Sequence, residues 1–169
     1  MGSRRKSPIL PSPKGIFLTL HKNPLLMNYM VVIPKPLYKQ ICRHAEESYP
    51  EECCGLLLGE RAGSVKSVRT VLATENDAEA LRHKRYRIPP KALLDAENRV
   101  KEKGWEVLGA YHSHPDHAPH PSEYDRERAI LNFEYIIVEV RKGRAEEAGC
   151  WILGDSDSGF AREDLLIPD

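Results

Sequence analysis

Apolar residues fall along this chain in two periods, alternating or continuous runs that suit strands and three-to-four spacings that suit helices. Val31-Val32-Ile33 is a short β-branched run and predicts a first strand. Pro34 and Pro36 end it, and Pro36 suits the first turn of a helix over 36–48, where Leu37, Ile41 and His44/Ala45 recur at helical spacing. Tyr49-Pro50 stops that helix. Cys53 to Leu58, closed by Gly59, reads as a strand buried on both faces, and Val65 to Ala73 as its neighbour after the Arg61-Ala62-Gly63 turn. Residues 74–87 are polar without a clear period, which predicts a loop holding a short edge strand. Pro89-Pro90 opens a helix over 90–103 with the stripe Leu93, Ala96 and Val100, and Gly104 supplies its stop. Val107 to His114 reads as a strand, 122–131 as a helix capped by Ser122, and Tyr135 to Val140 and Cys150 to Leu153 as two more strands. The order β-α-β-β-α-β-α-β-β predicts a layered α/β domain with a central sheet, without an internal repeat or a second domain.

Composition narrows the class. The 169 residues are 41% hydrophobic and 30% charged, a globular balance for one domain of ordinary size. No run of 18 apolar residues exists, so no transmembrane helix and no membrane partner is expected. The 25 basic and 25 acidic residues cancel, which argues against a protein that coats nucleic acid. Four cysteines are too few for a secreted disulfide scaffold, so a soluble, cytoplasmic protein with free thiols is expected. The charge is uneven: residues 1–30 hold Arg4, Arg5, Lys6, Lys14 and Lys22 and no acid, which leaves 20 basic against 25 acidic groups beyond them. Residues 1–29 therefore read as a poorly ordered basic extension, akin to a transit peptide, or as a stretch ahead of a true start at Met27 or Met30, with the domain over 30–169.

The chemistry concentrates in His112-Ser113-His114-Pro115, Ser122 and Asp125. Side chains at i and i+2 of a strand share a face, so His112 and His114 can share a metal without distorting the backbone. Asp125 follows His114 by eleven residues, across a loop stiffened by Pro115, Pro119 and Pro121, and falls in the first turn of the next helix. Two imidazoles and a carboxylate leave one tetrahedral position open, the pattern of a catalytic zinc. Taken alone, Ser122-x-x-Asp125 is a helix-capping pattern. His117 and His120 read as exposed loop residues, Cys53 and Cys54 as small buried hydrophobes, Cys42 and Cys150 as unpaired, and Lys84, Arg85 and Arg87 as a solvated basic patch or a contact for an acidic partner.

His112-Ser113-His114-Pro115, the seven residues from Pro115 through Pro121, then Ser122, two residues and Asp125 resemble the JAMM motif of MPN-domain metalloproteases. The likeness covers about residues 30–169. It implies one zinc held by His112, His114 and Asp125, and the MPN (cytidine-deaminase-like) α/β fold, a central mixed sheet flanked by helices. It also implies an upstream glutamate as general base, which Glu52 matches by its place before Cys54-Gly55. A carboxylate beside the attacking water can take its proton and pass it to the leaving amine. Glu51 is the competing acid and should face the other way if the segment is extended. For Ser122 the family implies a hydrogen bond to the tetrahedral oxyanion, in competition with the cap.

The family's substrates are ubiquitin or ubiquitin-like proteins with a Gly-Gly tail. The text Tyr49-Pro50-Glu51-Glu52-Cys53-Cys54-Gly55 and Pro121-Ser122-Glu123-Tyr124-Asp125 is similar to the small stand-alone prokaryotic members. Some of those process β-grasp sulphur carriers and others remove modifiers from lysines. An extended tail can add to a sheet edge, and 74–88 is the expected place for it. Four other classes compete. A non-haem iron oxygenase also uses two histidines and a carboxylate but sits in a many-stranded barrel, against which the helices count. A nucleobase deaminase needs Pro-Cys-x-x-Cys, which is missing. A RadC-like JAMM protein and a non-catalytic MPN scaffold remain, the first disfavoured by the acidic domain and the second by the complete ligand set. The oligomeric state is left open.

Overall fold

The computed structural model describes residues 29–154 and 159–169, so the readings made of the N-terminal extension lie, Tyr29 apart, outside the described residues. Strand β1 (Met30–Val32) leads into helix α1 (Lys35–Ser48), which has Pro36 in its first turn and ends before Pro50. β2 (Cys54–Ala62) and β3 (Val65–Thr74) form an antiparallel hairpin, followed by α2 (Pro90–Lys101) and β4 (Glu106–Pro115). The chain ends with α3 (Glu123–Arg128), β5 (Glu134–Arg141), β6 (Arg144–Leu153) and β7 (Phe160–Leu166).

The expected mixed sheet with flanking helices is present, and it closes on itself in the order β1-β3-β2-β4-β5-β6-β7. Closure depends on β1, which runs parallel to both β3 and β7. β4 sits between β2, antiparallel to it, and β5, parallel to it. That contact is close because Gly109 has no side chain: a Cβ there would lie 2.0 Å from the Glu134 carbonyl oxygen. A closed sheet and helices thus coexist here, so the helices do not by themselves separate this protein from barrel oxygenases.

Apolar side chains bury on both faces of the sheet, as the run in β2 requires. Leu57 joins Ile41 and Ala45 of α1, Val68, Leu108, Tyr111 and Ile136 in one cluster. Leu56 and Leu58, one position either side, join Ala96 and Val100 of α2, Ala110 and Tyr135 in a second. Full burial of a leucine or isoleucine side chain contributes about 1.5–3 kcal/mol, so these two clusters dominate the fold's stability.

Four expectations are corrected. The strand expected over 150–153 begins at Arg144, because Lys142 and Gly143 both take positive φ (51° and 81°) and turn the chain as a tight hairpin. β7 was not expected at all. The helix expected over 122–131 stops at Arg128: Ala129 is extended, and the Ile130 N–H donates to the Tyr135 hydroxyl at 2.7 Å instead of continuing the helix. The short edge strand expected within 74–87 does not form. Asn76 takes over the backbone groups such an edge would offer, donating from Nδ2 to the Glu52 and Arg85 carbonyls and accepting at Oδ1 from the Ala78 and Arg87 N–H groups.

Candidate active site

The site lies at the C-terminal end of β4. Because successive side chains alternate across the sheet, His112 and His114 share the face of Ala110, while Tyr111 and Ser113 point to the other side. His112 pairs with Cys54 on β2 and with Ile137 on β5, so neighbours on both sides hold its backbone. The loop after Pro115 returns to α3, whose first turn presents Asp125.

These three side chains converge. His112 Nε2 and His114 Nε2 are 3.1 Å apart, and Asp125 places Oδ1 3.4 Å from the first and Oδ2 3.6 Å from the second. All three are buried, and one ligand atom from each lies within 4.8 Å of the others. His114 is oriented by Nδ1, which lies 2.9 Å from the Ala118 carbonyl oxygen.

The electrostatics are those of a place built for a cation. Burial would raise Asp125, but His112, His114 and Ser122 outweigh it and hold the carboxyl far below the ordinary range. Burial lowers His112, which favours its neutral, ligating form. Burial would also lower His114, yet the Asp125 and Ala118 hydrogen bonds and the Glu52 charge outweigh it and lift the imidazole above its ordinary value. Two imidazole nitrogens and one ionised carboxylate oxygen, buried and within reach of a common point, suit zinc in type and number.

Glu52 enters from the segment before β2 and lines the same cleft as His114 and Ser122. It is 5% exposed, and burial pushes its carboxyl up to about 8, with His114 pulling down and Asp125 pushing up. Its backbone is fixed at both ends: the N–H donates to the Arg82 carbonyl at 2.7 Å and the carbonyl accepts from Asn76. The next residue, Cys53, donates its N–H to Ser113 Oγ at 2.8 Å, which ties the glutamate segment to the histidine strand. Glu51 is exposed, sits in a bend whose N–H donates to the Ser48 carbonyl, and is ion-paired with Arg82.

Ser122 is engaged in a capping box. Its hydroxyl accepts from the Asp125 N–H at 3.2 Å and donates to Asp125 Oδ2 at 2.6 Å, while its own N–H donates to the same oxygen. The capping reading and the metal reading of Ser122-x-x-Asp125 therefore hold together, since Oδ2 serves the cap and Oδ1 faces His112. His117 and His120 are exposed in the loop, Arg87 pairs with Asp77, and Arg85 lies over the Tyr124 ring. All four cysteines are free, and Cys53 and Cys54 are buried as expected. No pattern in the sequence singles out Asn76, which is a lone loop asparagine, or Tyr86, which stacks on the His112 ring. Beside Asp125 an apolar cavity of about 380 Å³ opens between Tyr86, Leu93, Ile130 and Phe133.

The family of prokaryotic homologs of the JAB domain matches residues 34–153. This chain belongs to that family. The JAB/MPN family is the one that carries the JAMM motif, and membership excludes the oxygenase and deaminase classes. Over 104 residues the JAB-domain protein is 34% identical to a desampylase from Haloferax volcanii, a match that spans 57% of this chain and 71% of that one. A solved protein from Salinibacter ruber is 37% identical with a TM-score of 0.63, covering 83% of this chain and 92% of its own. Another, from Desulfitobacterium hafniense, has a TM-score of 0.73 at 24% identity, covering 83% and 94%, and attests the shared fold.

Proposed function

We propose that this JAB-domain protein is a zinc metallopeptidase that hydrolyses the amide or isopeptide bond after the C-terminal Gly-Gly of a ubiquitin-like or sulphur-carrier protein, acting in the cytoplasm. The observation that carries the reading is the meeting of His112, His114 and Asp125 beneath a buried Glu52. The desampylase relative, named for the removal of a protein modifier, supports an isopeptide or amide bond as the target.

In this reading His112, His114 and Asp125 hold the zinc, which supplies Lewis acidity to the water and the scissile carbonyl. Glu52 takes the proton of the attacking water and returns it to the leaving amine. Its burial suits the task, because a carboxyl lifted toward neutral pH can both accept and release a proton there. Ser122 steadies the oxyanion, which requires its hydroxyl hydrogen to leave Asp125 Oδ2. The tail approaches along the Glu52–Ser122 cleft, with glycines at its narrowest part because they have no side chain. The substrate's more distal apolar side chains have the cavity beside Asp125 to fill.

The test is intact-mass analysis of a Gly-Gly-tailed β-grasp carrier in two forms, one bearing a C-terminal peptide extension and one linked through an isopeptide bond to lysine. Each is incubated with zinc-loaded protein, with chelator and with Glu52→Gln. Cleavage after the second glycine in either form, abolished in both controls, is the expected result. The form that is cut separates carrier processing from deconjugation. Two intact substrates would refute the reading.

A further inference from the structure

A histidine that ligates a metal through one ring nitrogen ordinarily donates its other N–H to an acceptor, which fixes the tautomer and the plane of the ring. His114 follows that rule through the Ala118 carbonyl. His112 breaks it: the residue is fully buried, Nε2 faces the site, and Nδ1 has no hydrogen-bond partner among the described residues. What lies against this ring is another ring. Tyr86 stacks on His112 with centroids 4.3 Å apart and planes inclined by 22°.

Tyr86 is itself held in place. Asn76, 5% exposed, donates from Nδ2 to the carbonyl of Arg85 at 3.0 Å and accepts at Oδ1 from the N–H of Arg87 at 3.2 Å, gripping the residues on either side of Tyr86. The remaining hydrogen of Nδ2 goes to the Glu52 carbonyl at 2.9 Å. One side chain thus sets both the tyrosine loop and the backbone of the proposed base.

We propose that Tyr86, clamped by Asn76, is the positioning residue for His112, with ring stacking standing in for the missing hydrogen bond. This inference rests on the zinc reading of the site and adds to it how one ligand is aimed. Stacking restrains the tilt of the imidazole and covers one face of it, and it asks for an aromatic plane rather than for a hydroxyl.

The experiment is zinc affinity by competition with a chromogenic chelator, together with the visible spectrum of the cobalt(II)-substituted protein, for wild type, Tyr86→Phe, Tyr86→Leu and Tyr86→Met. Circular dichroism of the metal-free proteins checks folding, and the methionine variant, which keeps bulk without a plane, serves where leucine unfolds the loop. Tyr86→Phe should bind zinc as tightly as wild type with the same cobalt bands. The aliphatic variants should bind about ten- to hundredfold more weakly, the range for lost support of a ligand, with shifted bands. Aliphatic variants with wild-type affinity and spectrum would overturn the proposal. A phenylalanine variant as weak as leucine would also overturn it, by giving the role to the hydroxyl. Wild-type protein that takes up neither metal would instead remove the zinc reading beneath it.

Discussion

Replacing Glu52 by glutamine should raise the stability of the metal-free protein while abolishing its activity, and the gain should grow with pH. Burial lifts the carboxyl from an ordinary 4.5 to about 8 in the folded state. The folded protein therefore binds this proton more tightly than the unfolded chain does. The sign follows: the stability that goes with the protonated group is fully present below about pH 4.5 and is lost as pH rises toward 8. Glutamine has the same shape and does not titrate, so it escapes that loss. Integrated between the two values at about 1.4 kcal/mol per pH unit, the advantage of Glu52→Gln is about 1 kcal/mol at pH 5 and about 4 kcal/mol at pH 8. With a urea m-value of about 2 kcal/mol/M, the unfolding midpoint should shift by roughly half a molar at pH 5 and by about 2 M at pH 8. Urea titrations in chelator, followed by the fluorescence of Trp105 and Trp151, read this directly. Turnover of the zinc-loaded variant should fall about 10²- to 10⁴-fold or more, the ordinary worth of a general base. A midpoint shift that is the same at both pH values would refute the burial argument. Unimpaired turnover would show that Glu52 is not the base.

His112→Ala and Asp125→Ala should each lower the zinc content of the purified protein well below one per chain, and a full complement by elemental analysis would sink the ligand assignment. Ser122→Ala loses the cap of α3 and should cost about 1 kcal/mol in urea unfolding. If the hydroxyl also serves the oxyanion, turnover should fall by a further 10²- to 10³-fold or so, and a loss of stability alone would confine the residue to capping. Replacing Lys66, fully buried between Glu134 and Glu163, by methionine should destabilise the fold by about 3–5 kcal/mol, since the buried acidic pair loses its cation. Burial and Glu163 push Glu134 up against the pull of Lys66, so removing Lys66 lifts it further, the Lys66→Met deficit should widen as pH rises, and Glu163→Gln in the same chain should restore part of it.

What the sequence revealed follows the range of the interactions involved. His112 and His114 were legible because strand alternation is a local rule, and Ser122-x-x-Asp125 because a capping box spans one helical turn. Only four residues of β6 carry a strand pattern in the sequence, because Glu146 and Glu147 look like loop and nothing local marks Lys142-Gly143 as a turn with both residues at positive φ. β7 is half polar, and its strand character comes from pairing with β6 on one side and β1 on the other, contacts more than a hundred residues apart in the latter case. Asn76 and Tyr86 were invisible for the same reason. An asparagine and a tyrosine in an aperiodic loop have no pattern, and their importance appears only when the loop is laid against Glu52 and His112.

The two readings of Asp125, cap and ligand, are complementary in the fold. A helix of six residues is far too short to hold itself together by its own hydrogen bonds. α3 is pinned instead at its start by the Ser122–Asp125 box and along its side by Tyr124, whose ring contacts the guanidinium groups of Arg85 and Arg128 at 4.8 and 3.9 Å. The box spends one carboxylate oxygen on the backbone and so fixes where the other points, toward His112. The same loop that brings Arg85 to Tyr124 brings Tyr86 to His112 and, through Asn76, holds Glu52. The proposed ligands arrive from a strand paired on both sides and from a helix that exists by virtue of its cap. The proposed base is tied to that strand through Ser113 and to the loop through Asn76. Each of the site's groups is thus aimed by backbone that is fixed independently of any metal, so the donor geometry should be largely in place before the ion arrives, and zinc binding should order little additional chain.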